Sequence, residues 1–117
     1  MKLKLIIGCL ALTLTGAGCA VFPHPQSCAR LCVNNLRMID SAKRQTAMCE
    51  NWESRLSCDT PANVAKVNDW IKGRKTPLCP QGGKYTYGAV GEPPTCSLGA
   101  SHPGHKIPVA ELNREHP

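Results

Sequence analysis

The chain reads as an α+β domain: a long N-terminal helix, a short second helix, and a small antiparallel β-hairpin fastened by disulfides. Three observations predict this. From Ser27 to about Trp52, apolar and small residues recur at three- and four-residue steps with no Gly or Pro intervening, which is the period of an amphipathic helix. Thr60-Pro61 then sets an N-cap and a first-turn proline in front of a second apolar period. After Pro77 the vocabulary changes to Tyr, Thr and Val between Gly-Pro clusters, which is strand and turn grammar.

Ahead of these elements lies an export signal. Met1-Lys2-Leu3-Lys4 leads into the apolar run Leu5 to Leu14 and then the small residues Gly16-Ala17-Gly18 before Cys19. The run is too short to cross a bilayer, which needs about 20 residues, and its layout is that of a removable signal over residues 1–18. Gly16-Ala17-Gly18-Cys19 resembles the lipobox of bacterial lipoproteins, in which the cysteine after the cut is lipidated and becomes the new N-terminus. Gly16 departs from it, since the family usually has Leu there. Cleavage after Ala20, at the small pair Gly18 and Ala20, is the rival. Residues 19–26, with Pro23 and Pro25, read as anchor and spacer.

Removing Lys2 and Lys4 leaves twelve basic against eight acidic side chains, a charge of +4. The basic residues are scattered, and the group from Lys72 to Lys75 has no interleaved aromatics, so no nucleic-acid partner is expected. The mature chain of about 100 residues has room for one modest core. Setting Cys9 and Cys19 aside leaves Cys28, Cys32, Cys49, Cys58, Cys79 and Cys96, an even number that reads as disulfides in a short exported chain. Cys49 and Cys58 flank a short loop and are expected to pair. Cys28 and Cys32 stand four residues apart, too distant on a regular helix to bond to each other, so either the helix starts later or they pair elsewhere.

In the first helix the stripe Ala29, Cys32, Leu36, Ile39, Lys43, Thr46 and Cys49 faces the core, with the stem of Lys43 along its edge. Arg37, Asp40, Arg44 and Gln45 mark the wet side. In the second helix Val64, Val67, Trp70 and Ile71 form the buried face, and Gly73 fits a left-handed C-cap. The hairpin is expected across Lys84 to Val90 and Thr95 to Leu98, and residues 106–117 read as a loose tail.

Asn34 to Lys43, together with Cys79-Pro80, Gly82-Gly83-Lys84-Tyr85, Gly88, Gly91, Pro94-Thr95-Cys96-Ser97 and His105, resemble the helix segment and C-terminal motif of bacterial prepilin-type, pseudopilin-like proteins. The resemblance implies a pilin-like domain over residues 27–105, a disulfide between Cys79 and Cys96, and a structural place among envelope or secretion-system proteins. One departure matters: the Phe-rich helix that assembles such filaments is absent, so the expected role is an accessory or displayed one, with the lipid anchor holding the domain at the membrane facing the periplasm or exterior. Secretion or a free periplasmic location is the alternative.

No enzyme is expected. His24, His102, His105 and His116 all fall in loops or tail, Cys28-x-x-x-Cys32 is not a thioredoxin-like redox motif, and Gly82-Gly83 is a turn pair and not a phosphate loop. No cofactor is expected either. The one rival constellation is Cys79, Cys96, His102 and His105, whose two thiolates and two imidazoles suit tetrahedral zinc. An oxidising compartment favours the disulfide over this set.

Overall fold

The computed structural model describes residues 25–115, so the expected signal, the lipidation of Cys19 and the beginning of the spacer lie outside the described residues. The order is α1 (Pro25–Glu50), α2 (Pro61–Asn68), β1 (Tyr85–Thr86), β2 (Thr95–Cys96), two 3₁₀ turns (Ser97–Ala100 and Pro103–His105) and α3 (Val109–Glu115). This is the α+β arrangement of long helix, short helix and antiparallel pair. Pro25 opens α1 two residues earlier than the period suggests, because a first-turn proline has no intrahelical N–H to lose.

Two apolar clusters lie along α1. The second half of the helix, through Ile39 and Ala42, packs with Cys58, Val67, Ile71 and Tyr87. The first half, through Cys32 and Leu36, packs with Cys79, Cys96 and Ile107. Next to Ala42, Lys43 is 2% exposed, and its ammonium donates to the carbonyls of Tyr87 and Glu92. The whole side chain therefore enters the core, where the sequence places only its stem. Asp40, expected on the wet side, is buried and paired with Arg44 at 2.5 Å.

Thr60 caps α2 as expected, its hydroxyl accepting from the Asn63 amide at 3.3 Å, with Pro61 in the first turn. The helix ends sooner than its apolar period suggests. Trp70 and Ile71 donate their amides to carbonyls three residues back, tightening the chain so that Ile71 turns inward and Trp70 is left exposed. Gly73 does take a positive φ of 88°, but within the turns that follow and not as the cap of α2.

The hairpin shortens to paired dipeptides, Tyr85 opposite Cys96 and Thr86 opposite Thr95. Asp59 explains the early end: its carboxylate accepts from the amides of Tyr87 at 2.7 Å and Gly88 at 2.9 Å, drawing the chain off the ladder. The Tyr87 ring then enters the core, its hydroxyl bonding Asn68 at 2.5 Å and Thr76 at 3.0 Å. The tail is also corrected. Residues 109–115 form α3, held to α1 by the two-pronged pair of Arg37 and Glu111, both contacts 2.7 Å, with Ile107 buried and Leu112 packed on the first cluster.

Candidate metal centre

Cys32, Cys79, Cys96 and His105 are all buried, and their Sγ and ring-nitrogen atoms lie within 4.8 Å of one another. The expected fastenings are absent here: Cys79 and Cys96 carry unbonded thiols, as do Cys49 and Cys58. Cys49 is exposed while Cys58 is inside the second cluster, so the short loop between them does not turn the thiols toward each other.

Each donor arrives by a different route. Cys32 sits on the buried stripe of α1, in register with Leu36 one turn on. Cys79 opens the turn Cys79-Pro80-Gln81-Gly82, closed by the Gly82 amide bonding the Cys79 carbonyl at 3.0 Å. Cys96 ends β2, and the strand pairing sets its thiol opposite Tyr85. His105 closes the second 3₁₀ turn, which reaches α1 because residue 104 has no side chain: a Cβ there would lie 2.8 Å from that of Ala29. Gly83 acts likewise inside the site, since a Cβ on it would stand 2.5 Å from Cys96 Sγ and 3.3 Å from Cys79 Sγ.

The spacing matches a tetrahedral ion. With metal–sulfur and metal–nitrogen bonds of about 2.3 and 2.0–2.1 Å, tetrahedral geometry separates a sulfur from a nitrogen donor by about 3.6 Å. His105 Nδ1 lies 3.6 Å from Cys79 Sγ and 3.9 Å from Cys96 Sγ. The other ring nitrogen, Nε2, lies 2.6 Å from Gln81 Oε1. An amide oxygen only accepts, so Nε2 carries the proton and Nδ1 presents its lone pair to the thiols. Burial, helped by the neighbouring His102 ring, holds the His105 pKa below its ordinary value and keeps the imidazole neutral.

The thiols are tuned unequally. Burial opposes ionisation of Cys79, yet the backbone amides of Gln81 and Gly83 and the thiols of Cys32 and Cys96 outweigh it and bring its pKa below the usual value. Burial pushes Cys96 up despite the Leu98 amide. Cys32 is pushed up to about 12 by burial, against the Tyr85 hydroxyl. That hydroxyl is itself fixed by Asn35, whose Nδ2 donates to it at 3.1 Å and to the Leu78 carbonyl at 3.0 Å. Three crowded, buried thiols cannot all ionise unaided, and a divalent cation supplies the charge that lets them do so.

Of the metal set expected from sequence, Cys79, Cys96 and His105 meet, and His102 does not. His102 is exposed, and its Nδ1 lies 2.8 Å from Ser101 Oγ. Its place is taken by Cys32, far upstream. The signal for Cys32 was its position on the buried stripe together with the difficulty of pairing it with Cys28.

No family model matches the chain, and neither a curated protein nor a solved structure matches it.

Proposed function

We propose that this chain is a small, non-catalytic, metal-fastened module of the cell envelope, in which Cys32, Cys79, Cys96 and His105 hold a thiophilic divalent ion, zinc above all. The observation that carries this reading is the convergence of three thiols and one correctly oriented imidazole from α1, a turn, a strand and a 3₁₀ turn into one buried cluster. A set closed by four protein ligands is the structural type of zinc site, with no position left for substrate. Its role is to tie the segment from Cys79 to Ile107 onto α1, where apolar burial alone is thin.

The disulfide between Cys79 and Cys96 uses two of these donors and leaves Cys32 and His105 facing it without a task. The metal reading employs all of them. It also accounts for the residues that carry the pseudopilin resemblance: Cys79, Gly83, Tyr85, Cys96 and His105 each have a place in or against the cluster, so a filament is not needed to explain them. Delivery to the envelope and tethering through a lipid on Cys19 rest on the Lys-rich start, the short apolar run and Gly16-Ala17-Gly18-Cys19. Partners are then membrane lipid and neighbouring envelope proteins.

Elemental analysis of the chain purified in reductant tests the reading. One equivalent of zinc is expected, replaceable by cobalt with thiolate charge-transfer and tetrahedral d–d bands. Cys32→Ser is expected to weaken the cobalt spectrum strongly. A chain that takes up neither ion when fully reduced refutes the proposal.

A further inference from the structure

The cluster is enclosed by protein on most sides, but Cys96 and His105 also line a cavity of about 540 Å³ whose wall is otherwise largely apolar, including Pro93, Pro94, Ile107 and Leu112. Water occupies about 30 Å³ in the liquid, and a peroxide is little larger, so the cavity has ample room for a small neutral oxidant beside Cys96. Of the three cysteines of the set, Cys96 is the one that lines this cavity. Beside its sulfur stands Cys79, and both rest against the bare α-carbon of Gly83. They are carried by turn and strand segments of the same C-terminal half, whereas Cys32 is on α1 with the Tyr85 hydroxyl beside it.

Resting on the metal reading above, we propose that the centre is a peroxide-responsive switch, in which oxidation joins Cys96 to Cys79 and expels the ion. The Cys96 thiolate attacks one oxygen of hydrogen peroxide, the O–O bond breaks, and hydroxide leaves and is protonated to water. The sulfenic acid so formed is attacked at sulfur by the Cys79 thiolate; the S–O bond breaks, the disulfide forms, and a second hydroxide is protonated to water. Each sulfur gives up one electron and the peroxide takes both. The ion, left with Cys32 and His105 alone, dissociates. The two states are thus the metal-bound set of three thiolates and one imidazole and the metal-free disulfide, and the second is the pairing that the pseudopilin resemblance implies.

The zinc-loaded full chain is treated with hydrogen peroxide, with zinc release followed by a chromophoric chelator and the cysteines mapped by differential alkylation and mass spectrometry. Release of a full equivalent of zinc, in step with a Cys79–Cys96 cross-link and reversed by reductant plus zinc, is the expected result. Ala100 lines the cavity and is not a ligand, so Ala100→Phe should leave the zinc content unchanged and slow release several-fold. Cys49→Ser, which alters an exposed thiol outside the cluster, should release zinc as the unmodified chain does. Zinc retained with its thiols intact overturns the switch but leaves the metal reading standing, as does a cross-link through Cys32 or a release rate indifferent to Ala100→Phe. Failure of the reduced chain to take up zinc at all overturns both.

Discussion

The Gln81 amide shows how much of this centre depends on residues that donate nothing to the ion. By accepting from His105 Nε2–H it selects the tautomer that points Nδ1 at the sulfurs. Gln81→Leu is therefore expected to lower zinc affinity by about 10–100-fold, measured by chelator competition. His102→Ala should change it little, because that ring faces solvent. Lys43 is the second residue whose role lies in its surroundings. Lys43→Met leaves the Tyr87 and Glu92 carbonyls without its donor, at a cost of about 1–3 kcal/mol for each that stays unpaired. Burial pushes the Lys43 pKa down, against the pull of Cys58, Asp40, Asp59 and Glu92. A base with a lowered folded pKa binds fewer protons folded than unfolded, so its contribution to stability rises with pH from that folded value toward about 10.4. Urea denaturation is thus expected to show the difference between the wild type and Lys43→Met widening as pH rises from the lowered folded value toward the unfolded one.

At the scale of elements, α1 is a shared wall between unlike cores. Its second half packs on α2 and Tyr87 through carbon and a satisfied polar network; its first half packs on a thiol cluster. Removing metal should therefore act on one end. With a chelator in reducing buffer, hydrogen exchange is expected to quicken across Cys79–Lys84 and Cys96–Ile107 while the amides around Ile39, Val67 and Tyr87 stay protected. Uniform exchange along the whole chain would mean that the two clusters unfold as one. Helices α1 and α2 were legible in sequence because period and cap are local signals. The end of α2, the rotation of Trp70 outward and the brevity of the strands were not, since they follow from Ile71 seeking the core and from Asp59 capturing the amides of Tyr87 and Gly88 across the fold.

For the whole molecule, no helix among the described residues is long and apolar enough to cross a membrane. The proposed membrane attachment rests on the N-terminal sequence, the short apolar run followed by Gly16-Ala17-Gly18-Cys19. Intact-mass measurement of the chain from a bacterial envelope fraction is expected to show loss of residues 1–18 and addition of lipid at Cys19; a mass starting at Met1 would refute this. By itself the sequence determined the α+β class and the order of helix, helix and antiparallel pair, because period and capping residues are written locally; it offered Cys79, Cys96 and His105 as donors only in the rival to a Cys79–Cys96 disulfide. Only the tertiary structure decided that Cys32 completes the set in place of His102, that Lys43 and Asp40 are buried, and that residues 109–115 fold back on α1 as a helix. These depend on which groups meet after the chain has closed over α1, through contacts such as Gly104 on Ala29 and Arg37 with Glu111, and no local spacing encodes a meeting between residues so far apart.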